Sequence, residues 1–189
     1  MSPNLKKEDP RITRTRNLIL DAFKHLLKTK GFEALTVQDL TKKALINRVT
    51  FYAHFPNKYA LLDHTVNMLF RTEIEKRTLG GCRYSSKNLK VLIRVVVEFQ
   101  LQTNKEWAYR SQQFESLMES SIKKQIYGLL THWLGQANTK VSTELPTTVA
   151  ASAIYVLAKY YSHAKQRPTL EKFVDEAFPL VAVNFEPVA

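Results

Sequence analysis

The sequence predicts an all-α protein, with an N-terminal tri-helical helix-turn-helix domain and a C-terminal helical bundle. Only five Gly and seven Pro occur in 189 residues, which favours long helices over a many-turned β architecture. Hydrophobic residues make up 44% of the chain and charged residues 24%, so the chain can form a core and is not of the disordered class. We expect the first domain over residues 1–57, a connecting helix over 58–79 and the bundle over 80–189.

Four helices are predicted in the first third of the chain. Residues 1–10 are polar and contain two prolines, so we interpret them as an arm. Apolar residues then recur at spacings of three and four from about Thr13 to Lys30, and Gly31 ends this helix. Thr36 and Asp39 predict a capping box at the start of the second helix. Asn47 can cap a short third helix over about 48–54, and a fourth helix follows over about 58–77.

The second and third helices carry the predicted function. Two short helices joined by a three-residue turn, after a longer supporting helix, are typical of a helix-turn-helix, whose second helix enters the major groove of DNA. Phe51 and Phe55 are four residues apart and are expected to anchor its inner face. The side chains expected to project outward or along the groove wall are those of Arg48, Thr50, Tyr52 and His54.

Positive charge is concentrated in the same segment. Residues 1–58 hold 12 Lys and Arg against five Asp and Glu, a net charge of +7, whereas residues 59–189 have a net charge of +4. A concentrated basic segment is the electrostatic signature of phosphate binding. A solvated basic surface that binds nothing in particular would give the same count, so charge alone leaves both interpretations open.

The stretch from Leu35 to Leu62 resembles the TetR family of bacterial regulators. The resemblance lies in the pattern Thr-Phe-Tyr-Ala-His-Phe-Pro-Asn-Lys-Tyr-Ala-Leu-Leu at Thr50–Leu62, together with the upstream Gly31–Thr36 segment. It covers residues 12–62, and beyond them the chain is similar to the family only in being helical. The resemblance implies a dimeric regulator that binds double-stranded operator DNA, typically a repressor released by a small molecule.

The resemblance also implies residue roles. Thr36 and Lys58, at the starts of the second and fourth helices, and the Tyr52 hydroxyl would contact phosphate. Arg48 and Thr50 would face bases or nearby phosphates, with Arg48 the best candidate for reading guanine, and His54 would lie at the groove edge.

Two positions depart from the family pattern. Leu45 occupies a turn position where Gly is usual, so either the turn geometry differs or a left-handed Leu is tolerated at a cost in strain. Val49 stands where a small residue is common, and either contacts a thymine methyl group or packs inward.

Two patterned helices, over about 147–165 and after Pro168, are expected to form a four-helix dimer interface. Ordinary packing inside one chain is the alternative. The residues proposed for the interface are Ala150, Ala151, Ala153, Tyr155, Ala158, Phe173, Ala177 and Phe178.

Residues 86–134 would then form the ligand-binding helices. The residues that could line a pocket are Phe99, Trp107, Tyr109, Phe114, Met118, Tyr127 and Trp133, with Glu98, Gln102 and Gln113 for polar specificity; none of them is assigned. A ligand-independent DNA-binding regulator, whose C-terminal domain only dimerises or recruits a protein, is the alternative function.

The sequence gives little support to functions other than DNA binding. It offers no defensible catalytic arrangement, metal-ligand cluster or cofactor motif, so we expect neither an enzyme nor a metal or cofactor. Cys82 is the single cysteine, the N-terminus has no apolar signal segment, and the apolar run Val91–Phe99 is broken by Arg94 and Glu98. We therefore expect a cytoplasmic protein without a membrane span.

Overall fold

The computed structural model describes residues 9–78, 83–107, 111–135 and 144–185. Within these ranges it consists of eight α-helices and one short 3-10 helix, without strands, which confirms the predicted all-α class. The elements are α1 (Pro10–Lys30), α2 (Val37–Ala44), α3 (Arg48–His54), α4 (Lys58–Thr78), α5 (Ser86–Glu106), α6 (Gln112–Gly135), α7 (Glu144–His163), α8 (Leu170–Ala182) and the 3-10 helix Val183–Phe185. Residues outside the described ranges include 1–8 of the arm predicted over 1–10, Gly80-Gly81, Cys82, Tyr109 and most of the loop after Gly135.

Helix α1 begins three residues earlier than its apolar pattern predicts. Asp9 is its N-cap, and its Oδ1 atom accepts a hydrogen bond from the backbone N–H of Arg11 at 2.9 Å. Pro10 occupies the first helical position, where its fixed φ suits the helix and its missing N–H costs nothing. Pro10, the last residue of the predicted arm, therefore belongs to the helix.

Contacts divide the chain into two compact units, which are described separately. The first unit comprises the described residues up to Thr65, with Trp107 and Ser111. Its core is formed by fully buried apolar side chains from α1 (Ile19, Phe23, Leu27), α2 (Leu40), α3 (Phe51) and α4 (Leu61). Burial of a side chain of this size stabilises the fold by roughly 1.5–3 kcal/mol.

The second unit holds the described residues from Val66 onward, apart from Trp107 and Ser111. In it α7 packs against both α5 and α6, and α8 packs against α5 and α7. Ion pairs join α5 to α8 at the surface, from Lys90 to Asp175 at 2.7 Å and from Arg94 to Glu171 at 3.1 Å. The connecting helix predicted over 58–79 corresponds to α4, and the contacts divide the chain within this helix, between Thr65 and Val66.

Most residues proposed for a dimer interface are buried inside the chain. The side chains of Ala150, Ala151, Tyr155, Ala158, Phe173 and Ala177 are all less than a tenth exposed. They form intramolecular core, which was the alternative interpretation, because α7 is covered by neighbours on more than one side. Any surface that α7 offers to a partner must consist of other residues.

None of the described helices is long and apolar enough to cross a membrane.

Candidate nucleic-acid interface

The N-terminus of α2 is fixed by the predicted capping box. Thr36 is the N-cap, and its Oγ1 atom accepts a hydrogen bond from the backbone N–H of Asp39 at 3.1 Å. The carboxylate of Asp39 accepts in return from the backbone N–H of Thr36 at 2.9 Å and from its hydroxyl at 2.7 Å. This reciprocal pairing satisfies amide groups that would otherwise lack partners at the start of the helix.

Asp39 also ties α2 to the end of α1. The Nζ atom of Lys30 lies 2.7 Å from its Oδ2 atom. The hydrogen bonds from Lys30 and Thr36 hold the pKa of the Asp39 carboxyl well below its usual range. The carboxylate therefore remains charged under ordinary conditions and fixes the orientation of the exposed Thr36 side chain.

Helix α3 is capped and anchored as its sequence predicts. The Oδ1 atom of Asn47 accepts a hydrogen bond from the backbone N–H of Thr50 at 2.7 Å. Phe51 is completely buried and Phe55 is 4% exposed, with their ring centroids 6.2 Å apart. These two rings attach one face of α3 to the core and leave the opposite face outward.

The outward face of α3 consists of Arg48, Val49, Tyr52 and Ala53, all exposed. Arg48 and Tyr52 lie one helical turn apart, so the guanidinium and the phenol share one side of the helix. Val49 is 79% exposed, which excludes its inward-packing interpretation. Thr50 and His54 are half-buried at the flanks of this face, with the His54 ring 6.5 Å from that of Phe55.

The turn between α2 and α3 retains left-handed geometry despite its leucine. Leu45 has φ 55° and ψ 42°, and its N–H donates to the carbonyl of Lys42. The following N–H, of Ile46, donates to the carbonyl of Thr41 at 3.1 Å. The turn therefore does not change its geometry to suit Leu45; the leucine adopts the left-handed conformation, and the chain tolerates the strain. Leu45 is 92% exposed, so its side chain gains almost no burial within the chain.

Lys58, predicted to contact phosphate, is hydrogen-bonded within the chain. Its Nζ atom donates hydrogen bonds to the carbonyl oxygens of Phe32 at 2.9 Å, Glu33 at 3.1 Å and Leu35 at 3.0 Å. It also lies 4.8 Å from the centroid of the Phe32 ring. Burial lowers the pKa of the Lys58 ammonium. The ammonium is therefore directed into the loop between α1 and α2.

Of the six predicted contact residues, four lie on α3, namely Arg48, Thr50, Tyr52 and His54, and Thr36 lies at the exposed start of α2. The sequence does not decide whether Val49 packs inward, and its 79% exposure shows that it does not. The sequence does not predict the ion pair of Lys30 with Asp39. The only local signal for a role of Lys30 is its place in the last turn of α1. No group of three or more His, Cys, Asp or Glu that could hold a metal occurs among the described residues.

A short capped helix, anchored by two rings and exposed on its opposite face, is the arrangement of the second helix of a helix-turn-helix. Residues 19–65 match the family of bacterial regulatory proteins called the tetR family. The match confirms, over this segment, the resemblance to the TetR family predicted from the sequence.

Two curated relatives share this segment. The chain is 30% identical over 114 residues to the HTH-type transcriptional regulator YxbF of Bacillus subtilis, which covers 54% of this chain and 29% of that protein. It is 43% identical over 53 residues to the HTH-type transcriptional regulator EthR of Mycolicibacterium smegmatis, covering 28% of this chain and 24% of that one. The chain therefore spans less than a third of the length of the curated relatives that it matches. Both relatives are regulators of transcription, which agrees with the prediction that the chain is not an enzyme.

The similarity of fold extends beyond this segment. A TetR-family regulator from Streptomyces coelicolor A3 aligns with a TM-score of 0.67 over 95% of this chain and 99% of that one, at 17% sequence identity. At this identity the alignment establishes a shared all-α fold.

Proposed function

We propose that this protein is a transcriptional regulator that binds a palindromic operator as a homodimer and acts as a repressor released by a small molecule. The observation that carries the proposal is the outward face of α3, where Arg48, Val49 and Tyr52 are exposed on a helix locked by Phe51 and Phe55. Such a helix fits the major groove of B-DNA. A cytoplasmic location, where operator DNA is accessible, follows from the proposal.

Each contact residue receives a role from its position. Arg48, at the first position of α3, reads a base edge, because a guanidinium can bond guanine in a bidentate manner. Thr36 at the N-terminus of α2 and the Tyr52 hydroxyl contact phosphates, and Thr50 and His54 contact the groove wall at the flanks. Val49 offers a methyl contact to thymine. Lys58 is left out of this set because its ammonium protons are used within the chain.

A row of exposed apolar side chains on α7 supports the homodimer. Leu145, Val149, Val156 and Tyr160 are each more than half exposed, and their spacings of four, seven and four place them on one side of the helix. Leu180 and Val183, at the end of the chain's last described helices, are exposed to a similar degree. Apolar side chains concentrated in this way mark an interaction surface. A second copy is the partner that a palindromic DNA site requires.

A buried polar atom in the second unit supports the small-molecule effector. Gln100 on α5 is 3% exposed, and its Nε2 atom has no hydrogen-bond partner in the described part of the chain. An unpaired buried donor costs roughly 1–3 kcal/mol, so a bound molecule with an acceptor would relieve a real cost. Ligand binding would then shift the regulator towards a form with lower operator affinity.

The alternative is a ligand-independent regulator, whose second unit only dimerises or recruits a protein. It is favoured by the deep burial of several proposed pocket residues. Phe114, Met118 and Trp133 are 0–2% exposed, as expected for residues that pack as core.

Selection of bound sequences from random duplex DNA tests the proposal. A palindromic site should emerge, and Arg48→Ala should relax specificity at one base in each half-site, at a cost of about 1–3 kcal/mol. Tyr52→Phe should weaken binding to all sequences alike. Lys165→Ala, at an exposed position of the second unit, is the control for the charge that Arg48→Ala removes. Binding that is sequence-blind in the wild type, and strongly salt-dependent, would overturn the proposal.

A further inference from the structure

Lys58 joins two elements of the DNA-binding unit. It is the first residue of α4 and follows the C-cap of α3, Phe55, by three positions. Its three carbonyl partners belong to residues 32, 33 and 35, in the loop that leads into α2. Leu35, the last of them, directly precedes the N-cap Thr36. One ammonium group therefore connects the start of α2 to the segment that follows the recognition helix.

The surroundings of Lys58 favour a fixed ammonium. Phe32 is 2% exposed, Leu35 is 1% exposed, and the ammonium lies close to the face of the Phe32 ring. An ammonium has three protons, and three carbonyl oxygens lie within 3.1 Å of it. A phosphate contact would have to take a proton from one of these bonds. The bonds to the carbonyls of Phe32 and Leu35 are part-buried, so loss of either would leave a part-buried acceptor without its partner, whereas the bond to Glu33 is exposed.

We infer that Lys58 is a positioning residue, which sets the separation between the N-terminus of α2 and the recognition helix α3 and does not bind phosphate. As far as DNA is concerned, the inference rests on the proposed function. It predicts that loss of Lys58 disturbs the placement of Thr36 relative to Arg48 and Tyr52. It also predicts that loss of Lys58 removes no contact with a DNA phosphate, so the number of counterions released on binding is unchanged.

Lys58→Met tests the connection, because it keeps an unbranched side chain only one atom shorter and removes its three donors. The melting temperature should fall by about 5–10 °C, as expected for the loss of hydrogen bonds to a charged group in a chain of this size. Lys165→Met, at an exposed position, removes the same charge and should leave the melting temperature unchanged. Backbone amide NMR signals of Thr36 and Asp39 should shift in Lys58→Met and not in the control.

DNA binding then separates positioning from phosphate contact. At a temperature where Lys58→Met is fully folded by circular dichroism, its affinity for the selected duplex should fall about tenfold, with the slope of log affinity against log salt unchanged. Lys58→Arg should not restore affinity, because a planar guanidinium cannot direct donors at three converging carbonyls. A phosphate contact predicts the opposite pattern: a slope reduced by about 0.9, an unchanged melting temperature and substantial rescue by arginine.

The outcomes remain separable from those of the proposed function. If the wild type binds no duplex specifically, the proposed function fails, and the melting temperature and NMR signals still test whether Lys58 fixes the loop. Positioning is overturned if the slope falls, or if fully folded Lys58→Met binds DNA as tightly as the wild type. It is also overturned if the signals of Thr36 and Asp39 do not move.

Discussion

Asp39 and Thr36 hold each other at the start of α2: the Thr36 N–H donates to the Asp39 carboxylate at 2.9 Å, and the Asp39 N–H donates to Thr36 Oγ1 at 3.1 Å. Lys30 adds a third bond to the same carboxylate, at 2.7 Å. The hydrogen bond from Lys30, followed by those from Thr36, lowers the pKa of Asp39 from its usual value of 3.8. Protonation of Asp39 therefore weakens the folded state.

Asp39→Asn should lower the melting temperature at neutral pH by more than it does in acid. Because the pKa of Asp39 is lower in the folded chain than in the unfolded one, its contribution is complete above about pH 5 and is lost as pH falls towards the folded value. The difference between variant and wild type should shrink between pH 5 and pH 2, as followed by thermal circular dichroism. Asp21→Asn on α1 controls for the loss of an exposed carboxylate, and a difference independent of pH would contradict the prediction.

Leu45→Gly should raise the free energy of unfolding by about 0.5–1 kcal/mol. A left-handed conformation costs a residue with a Cβ about 1–2 kcal/mol, and glycine removes this cost while losing more backbone entropy on folding. Because the Leu45 side chain is 92% exposed, its removal loses almost no buried apolar surface. Urea titration, read at the midpoint with an unchanged slope, measures the change.

Val49→Gly is the matched control for Leu45→Gly. Val49 is also largely exposed, at 79%, but it lies inside α3 with right-handed helical geometry. Glycine there should destabilise the chain by about 0.5 kcal/mol, because it is the poorer helix former. If both substitutions destabilise alike, backbone strain at Leu45 is not the cause.

The helix-turn-helix was predictable because its signals are local. Thr36 with Asp39, and Asn47, fix the starts of α2 and α3 at the predicted residues, and Gly31 ends α1. The start of α1 has a local signal too, Asp9 followed by Pro10, but the polar composition of residues 1–10 favours an arm.

Other features depend on contacts that sequence spacing does not report. The three carbonyls bound by Lys58 lie 23 to 26 residues upstream, so the phosphate role was the natural expectation for a lysine at a helix start. On α7, residues such as Ala150 and Tyr155 have the character of a dimer interface, yet packing by α5 and α6 buries them within the chain. Periodicity identified the helix without showing which apolar face remains uncovered.

Gln100→Met should stabilise the ligand-free protein by about 1 kcal/mol. Methionine has a similar length, and it replaces an amide whose Nε2 atom is buried without a partner. Urea titration of both proteins gives the comparison, with Gln113→Met on α6 as an exposed control. Destabilisation by Gln100→Met would indicate that the amide has a structural partner, such as an ordered water, and would remove the support that Gln100 gives to an effector.

Val156→Glu should convert the proposed homodimer into monomers. Val156 lies in the middle of the exposed row on α7, 58% exposed, and a carboxylate there would be desolvated, and repelled by its counterpart if the two-fold axis passes close to it. Light scattering coupled to size-exclusion chromatography should show a halved mass, with the helical circular dichroism signal retained because the side chain contributes little to the chain's own core. Thr148→Glu, at an exposed position of α7 outside the row, is the control and should remain dimeric. If Val156→Glu remains dimeric, the interface lies elsewhere. If the wild type is a monomer, both the proposed homodimer and the palindromic operator are contradicted.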